Sequence, residues 1–175
     1  MPSFVMTIIG PDRPGLVDTL AQIVLEHDGN WVESRMAHLG GQFAGLLRVE
    51  VADEKSASLI ARLRALDVTG LHVVLAPAGE EAPSSPEREL HIELVGHDRP
   101  GIVRQLSGTL AAHGVNVEEL ETDCESAPMT GERLFRARAR LRAPAGTSLD
   151  QLRSAIERIA AELMVDLHIA GRESP

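Results

Sequence analysis

Two short segments of this 175-residue chain carry side chains suited to binding a small ionic ligand: GPDRPG at residues 10–15 and GHDRPG at residues 96–101. An Asp carboxylate accepts hydrogen bonds from an ammonium group, and an Arg guanidinium can donate two parallel hydrogen bonds to a carboxylate. Glycine lets a ligand approach the backbone closely, and the free N–H groups at a helix start favour an anion. The candidate ligand-binding residues are Asp12, Arg13, Pro14, Gly15, Asn30, His97, Asp98, Arg99, Pro100, Gly101 and Asn116. Together they supply donors for a carboxylate and acceptors for an ammonium group, which predicts a site for an amino acid.

The same residue types also have purely local uses, so the residues alone leave two interpretations open. Asp at a helix start is a common cap, Pro and Gly shape turns, and Asn can satisfy nearby backbone groups. His97 stands where the first segment has Pro11, which indicates that the two sites are not equivalent. That histidine could titrate near neutrality or contact a ligand, or it could simply be solvated.

The two segments belong to an internal repeat with an offset of 86 residues. The offset continues without a gap through Leu20 and Leu106, His27 and His113, and Asn30 and Asn116. A Pro-, Gly-, Ser- and acid-rich stretch between the copies has the composition of a linker. We therefore expect one domain over residues 1–77, a linker over residues 78–87 and a second domain over residues 88–175.

Each copy shows the same order of periodicities. A β-rich run is followed by apolar residues at helical spacing, two further strands, a second helix and a last strand. Pro14 and Pro100 are expected at the helix starts, Gly29 and Gly114 as left-handed caps at the helix ends, and Gly40-Gly41 in a hairpin. The second copy has a looser connection through Pro128 and Gly131. The order βαββαβ predicts an α+β chain of two ferredoxin-like sandwiches in tandem, each with an antiparallel sheet and both helices on one face.

A βαββαβ unit with D-R-P-G at its first strand–helix junction and Asn at the start of its second strand resembles an ACT domain, a small-molecule-sensing module. Two such units in tandem resemble the glycine cleavage system transcriptional repressor family, and NWVESRMAHLGGQFAGLL at residues 30–47 is especially similar to its first unit. The N-terminal unit of formyltetrahydrofolate deformylase is a second resemblance, although we expect no formyl-transfer domain here. The family resemblance implies that ligands dock at the D-R-P-G junction.

Composition narrows the possible partners. The chain has 17 basic and 26 acidic residues, a net charge of −9, and only 2% aromatic residues. These values argue against direct binding to nucleic acid or to an anionic membrane. One cysteine, Cys124, excludes an intramolecular disulfide and a Cys-rich zinc site, and it is expected to be a small buried residue. We expect a cytoplasmic protein with no cofactor and no metal.

Residues 133–142 (RLFRARARLR) alternate between apolar and basic from Phe135 onward, which predicts a strand with one basic face. That face would carry Arg136, Arg138, Arg140 and Arg142. Acids on neighbouring strands could neutralise it, the candidates being Glu89, Glu93, Glu119 and Glu121. The alternatives are a solvated ion-pair ladder, a docking face for an acidic protein surface and, third, a nucleic-acid contact.

These observations and the family resemblance favour a non-enzymatic regulator that binds a small amino acid, such as glycine, at one or both D-R-P-G loops and modulates a partner protein. The family resemblance implies that this partner is a transcription factor. The alternative is a regulatory or interaction subunit that acts in trans on an enzyme of amino-acid metabolism. A small enzyme is a third hypothesis, and it predicts a deep pocket with a titratable group of perturbed pKa. Edge strands need cover, which the two units of one chain or a homodimer could supply.

Overall fold

The protein is described by a computed structural model, which covers residues 2–79, 87–126, 132–163 and 165–172. The chain forms two compact units that divide between residues 81 and 82. Most of the expected linker lies outside the described residues, as do Pro128 and Gly131 of the longer connection.

The first unit contains a four-stranded antiparallel sheet in the order β2-β3-β1-β4. Its elements are β1 (Ser3–Pro11), α1 (Leu16–Glu26), β2 (Asn30–Leu39), β3 (Gln42–Glu50), α2 (Asp53–Arg64), a 3₁₀ helix (Ala65–Thr69) and β4 (His72–Pro77). The β2–β3 hairpin turns at Gly40 and Gly41, whose positive φ angles of 59° and 78° confirm the predicted glycine turn.

The second unit repeats this topology with the sheet order β6-β7-β5-β8. Its elements are β5 (Glu87–His97), α3 (Ile102–Ala112), β6 (Asn116–Ser126), β7 (Arg133–Pro144), α4 (Leu149–Leu163) and β8 (Val165–Arg172). The predicted βαββαβ order and ferredoxin-like class are therefore confirmed in both copies.

One face of each sheet packs against the two helices of its unit, because alternate strand residues are apolar there. In the first unit Met6, Ile8 and Leu47 are fully or almost fully buried with Leu20 and Leu59 from the helices. The corresponding core of the second unit contains Leu90, Ile92, Leu106, Leu141 and Ile156. We call the other surface of each sheet, formed by the intervening residues, its open face.

The helix ends differ from the expectations in two respects. The helices begin at Leu16 and Ile102, two residues after Pro14 and Pro100, so the prolines belong to the turn before the helix. Gly29 does not form the left-handed cap.

Asp28 takes the left-handed conformation instead, with φ 52°, and Gly114 occupies the equivalent place with φ 69°. A Cβ at Gly29 would lie 3.0 Å from both Cγ1 and O of Val24, so a larger residue there requires a small shift of its surroundings. Leu66 continues the helical spacing of Leu59 and Leu63, yet it falls in the 3₁₀ helix and not in α2.

Candidate functional site

The two strand–helix loops have the same backbone anchoring. In the first unit the N–H of Asp12 donates to the carbonyl of Gly41 at 3.0 Å, and in the second the N–H of Asp98 donates to the carbonyl of Arg133 at 3.0 Å. Each bond ties the loop to the connection between the second and third strands of its unit. The candidate aspartates are therefore held at a fixed position beside the start of a helix.

Helices α1 and α3, the first helix of each unit, are preceded by a glycine and have no side-chain cap from the described residues. Gly15 and Gly101 have φ angles of 89° and 94°, a conformation that other residues adopt only with strain. Neither helix start has a side-chain capping bond from the described residues. The first helical bonds run from the N–H of Thr19 to Gly15 and from the N–H of Gln105 to Gly101. Neither Asp12 nor Asp98 is used as a cap, so the amides of the first turn have no side-chain acceptor from those residues.

The aspartate carboxylates make long contacts near the surface. Oδ2 of Asp12 lies 3.8 Å from Nε2 of His38 at the end of β2, and Oδ2 of Asp98 lies 3.7 Å from Nε of Arg133 at the start of β7. Nδ1 of His97 lies 3.6 Å from Oε2 of Glu132. Since all these groups are partly exposed, the contacts are weak in water. The carboxylates of Asp12 and Asp98 can therefore give up these contacts and bind another group.

His38 and Arg133 are loop neighbours that the sequence analysis did not single out. Both lie far from the D-R-P-G segments along the chain. The predicted hairpin could have indicated these two neighbours. Residues near the tip of the hairpin in a βαββαβ unit lie at the same end of the sheet as the first strand–helix loop.

The two asparagines do not join the loops of their own units. Asn30 pairs with Glu50, which pairs with Ser3 at the start of β1, whereas the loop follows Pro11, which pairs with Gln42. The eight residue-to-residue steps from Gln42 to Glu50 span about 26 Å at roughly 3.3 Å per residue.

Asn116 is likewise placed opposite Arg142, which pairs with Glu89 at the far end of β5 from Asp98. A single site built from the aspartate and the asparagine of one unit is therefore wrong. The antiparallel register places them at opposite ends of the sheet.

The loops differ in charge. The third helical residue is Asp18 in the first unit and Arg104 in the second. A negative side chain in the first turn competes with an incoming anion, whereas a positive one attracts it. Four more charged residues lie in or beside the second loop. Two are basic, Arg99 and Arg133, and two are acidic, Asp98 and Glu132.

The predicted basic strand is β7, and its alternation is confirmed. Phe135, Ala137, Ala139 and Leu141 are buried on the helix side, while the arginines lie on the open face. Arg138 pairs with Glu93 at 3.2 Å and Arg140 pairs with Glu119 at 3.3 Å, as expected of an ion-pair ladder.

The main acidic partner, however, is Glu118, which the sequence analysis missed. Glu118 lies at the bulge between Val117 and Glu119, where β6 shifts register against β7. Its carboxylate binds Nη1 of Arg140 at 2.7 Å and also Nη2 of Arg142. The bulge adds a residue to the strand, so a period-two count along β6 does not predict this contact.

A shallow depression of about 350 Å³ lies on the open face of the second sheet. The polar residues lining it are His91, Glu93, Glu119, Glu121, Arg138, Arg140 and His168. Several of these side chains already satisfy one another, since Arg138 and Arg140 bind acids and His91 contacts Glu89 at 2.8 Å. The surface is therefore a compensated polar face.

Other chemistry has little support in the described part of the chain. No group of three or more His, Cys, Asp or Glu side chains there could hold a metal ion. Cys124 is exposed, contrary to the expectation of a buried residue. The pKa of Asp28 is lowered by its hydrogen bond with Lys55, but this pair lies at the surface at the end of α1, away from the loop. No helix among the described residues is long and apolar enough to cross a membrane.

Comparison with known proteins identifies the class. Residues 3–74 and 91–161 each match a family model for the ACT domain. The chain therefore belongs to the ACT-domain family, with two of these domains in tandem.

The chain is also similar to particular proteins over most of its length. It is 24% identical over 164 residues to the glycine cleavage system transcriptional repressor of Escherichia coli (strain K12), an alignment covering 91% of this chain and 84% of the relative. A crystal structure of an unknown protein from Galdieria sulphuraria is 31% identical, with a TM-score of 0.85 and 98% coverage of both chains.

The crystal structure of a protein suggested to be a glycine cleavage system transcriptional repressor has a TM-score of 0.72 at 17% identity, with 99% of this chain and 98% of that chain covered. This last likeness shows a shared tandem fold.

Proposed function

We propose that this protein is a non-enzymatic regulator that senses a small amino acid at its strand–helix loops. The observation that supports the proposal best is the paired geometry of the loops. Each presents first-turn amides without a side-chain cap next to an aspartate that is not used as a cap. The amides suit a ligand carboxylate and the aspartate suits its ammonium group.

The loops suit a small ligand because their glycines leave the approach open. A Cβ added at Gly15 or Gly101 would meet no atom within 4 Å apart from those of its chain neighbours and of its own helix backbone. A ligand carboxylate could therefore approach the backbone without meeting a wall of side chains. Glycine and other short amino acids are the candidates we favour.

The second loop is the stronger candidate for the carboxylate. Arg104 places a positive charge in the first turn of α3, where the equivalent Asp18 places a negative one in α1. Charges at this position change anion affinity by about 0.3–1 kcal/mol when they are exposed. We expect the second unit to bind a given amino acid more tightly than the first.

The regulated partner is proposed to be a transcription factor in the cytoplasm. The similarity to the Escherichia coli repressor supports a role in transcriptional regulation. The net charge of −9 disfavours contact with the phosphate backbone, so regulation would run through a partner protein rather than through direct DNA binding. Ligand binding would act by favouring one conformation of the regulator over another.

Isothermal titration calorimetry tests the ligand proposal. Glycine, alanine and serine are titrated against the full chain, with acetate and glycinamide as probes that lack the ammonium and the carboxylate respectively. We expect an amino acid to bind and both probes to bind at least about tenfold more weakly, a difference of roughly 1.4 kcal/mol. Absence of binding by every amino acid at about 10 mM would refute the proposal.

Variants then locate the site. Asp98→Asn should weaken binding at least about tenfold, because a hydrogen bond to a charged group contributes roughly 1.5–3 kcal/mol. Asp12→Asn should have a smaller effect, and Asp150→Asn in the first turn of α4 is the matched control, expected to leave affinity unchanged. Unchanged affinity in the Asp12→Asn, Asp98→Asn double variant would remove both loops as the site. Co-purification of a metabolic enzyme instead of a transcription factor would favour the in-trans enzyme subunit.

A further inference from the structure

The open face of the first sheet is unusually apolar. Ile9, Leu46 and Val74 lie around Thr7 on three neighbouring strands. These three apolar residues are 46%, 52% and 68% exposed, respectively. The register puts Leu46 and Val74 directly opposite Thr7 on its two sides, and Ile9 is the next outward residue of β1. Ala44 and Val5 continue the patch along β3 and β1. Three neighbouring strands therefore share one contiguous apolar surface.

The second unit shows what the same face looks like when it is adapted to water. Sheet registers place Arg138 at the position of Leu46, His168 at that of Val74 and Glu93 at that of Thr7. Both units have the same topology, so the fold itself does not require apolar residues at these positions. A contiguous exposed apolar patch on a globular domain marks an interaction site.

The charges around the patch indicate what covers it. The described Asp, Glu, Lys and Arg residues on this open face are Glu33, Arg35, Arg48 and Glu50, and His72 of β4 also lies on it. With histidine counted as neutral these charges sum to zero, in a chain whose net charge on the same count is −9. Two copies of the chain repel each other over most of their surfaces, and a neutral apolar face is where that repulsion is smallest.

One side chain on the face lacks an acceptor. Glu33 pairs with Arg35 at 3.2 Å, while Nε of Arg48 is buried and finds no hydrogen-bond partner among the described residues. The equivalent Arg140 of the second unit is paired with Glu118 and Glu119, although Nε of Arg136 on the same face is also buried without a partner among the described residues. A facing sheet that brings carboxylates of its own would supply this acceptor.

We propose that the open face of the first sheet is the interface of a homodimer, in which two copies of the chain stack these faces against each other. An isologous contact suits the patch, because each copy contributes the same apolar centre and the same rim with both signs of charge. Sheet faces stack about 10 Å apart with interdigitating side chains. Four strands about 4.8 Å apart and about 26 Å long give a projected area of roughly 500 Å² per copy, which places the dimer at the weak end of specific interfaces.

Sedimentation equilibrium of the full chain tests the interface. Across about 1 to 200 µM protein, we expect a reversible monomer–dimer equilibrium with a micromolar dissociation constant. Leu46→Arg copies the residue of the second unit and places an unpaired charge at the centre of the contact, so it should raise the dissociation constant at least about tenfold. Val74→His, which also copies the second unit, should act in the same direction.

The matched control is Val68→Arg. Val68 is 93% exposed in the 3₁₀ helix of the same unit and lies outside the open face, so the dissociation constant of this variant should equal that of the unaltered chain. Circular dichroism and thermal unfolding of the monomeric fraction check folding, and Val74→His gives a second readout if Leu46→Arg does not fold.

Two results would overturn the proposal. One is an unaltered chain that remains monomeric throughout the concentration range, which would leave the face for a different partner. The other is a dimer whose dissociation constant does not respond to either open-face substitution.

Discussion

The open faces of the two sheets differ far more than the folds beneath them. Both sheets have four antiparallel strands in equivalent order and bury one face against two helices. On the other face the first unit has Leu46 and Val74 where the second has Arg138 and His168. The buried face has to form a core in both units, whereas nothing in the fold requires the two open faces to be alike. The two copies are therefore not redundant: one open face is suited to contact and the other to water.

The binding loops diverge less than the open faces. Their aspartates, prolines and left-handed glycines are the same, and the backbone bonds that anchor Asp12 and Asp98 have equal lengths. The difference lies in charge at the first helical turn, where Asp18 corresponds to Arg104. We therefore expect the units to differ in the affinity of a shared kind of site.

The largest effect on stability is expected from a substitution of Gly45, which lies on the helix side of β3. A Cβ there would lie 2.6 Å from Cγ of Met36 and 2.7 Å from the carbonyl oxygen of Arg35, so Gly45→Ala should lower the free energy of unfolding by about 1–3 kcal/mol. The second unit has Ala137 at the equivalent place. Urea denaturation followed by circular dichroism measures the change.

Gly108→Ala is the control for that substitution. Gly108 lies within α3, and a Cβ there would meet no atom within 4 Å outside its own helix backbone. It should raise stability by about 0.5–1 kcal/mol, because alanine is the better helix former. Equal effects of the two substitutions would contradict the packing difference that we describe between the units.

A smaller effect is expected at Glu118, whose side chain is 17% exposed and binds both Arg140 and Arg142. Glu118→Val copies Val32 of the first unit and leaves a half-buried guanidinium without its closest acceptor. The free energy of unfolding should fall by about 1–2 kcal/mol. Thermal and urea unfolding measure it, and the more exposed Glu119→Ala should cost less, about 0–1 kcal/mol. A larger loss from Glu119→Ala would show that the bulge residue is not the main partner.

The smallest effect is expected at the surface pair of Asp28 and Lys55. The hydrogen bond and charge of Lys55 lower the pKa of Asp28, so the carboxylate form favours the folded state. Its contribution to stability is present above the unfolded-state pKa, about 3.9, and is lost as the pH falls through the lower folded-state pKa.

Lys55→Met should return the pKa of Asp28 toward its ordinary value, which an NMR pH titration of the side-chain carboxyl would detect. The second unit has Gly114 at the position of Asp28, so no side-chain carboxyl is present there to titrate. An unchanged pKa in the variant would show that Lys55 is not its cause.

Much of the fold follows from local patterns in the chain. The offset of 86 residues predicts two copies, the change from period two to helical spacing predicts the order of elements, and Gly40-Gly41 predicts the hairpin. The alternation of residues 133–142 predicts which side of β7 is buried, since a strand residue and its second neighbour share a face. The candidate loops are also visible in the sequence, because D-R-P-G occurs at both strand–helix junctions.

Predictions failed where an outcome depended on a contact between distant segments or on the space around a position. Residue type predicts a left-handed cap at Gly29, yet Asp28 takes that conformation and Gly29 lies close to Val24 instead. Residue type also predicts that Cys124 is buried, but it lies exposed on an edge strand. A residue's type does not report which neighbours surround it.

The order of residues along the chain is sufficient to establish a duplicated βαββαβ protein with the same acid-, Pro- and Gly-containing turn in each half. These features depend on residues close together along the chain, where backbone geometry and side-chain spacing are sufficient. The folded molecule was needed to show that Asn30 lies about 26 Å along the sheet from the loop of Asp12. It was also needed to show that Glu118 neutralises Arg140. Both depend on strand register and a bulge, which are set by pairing between segments far apart in the chain.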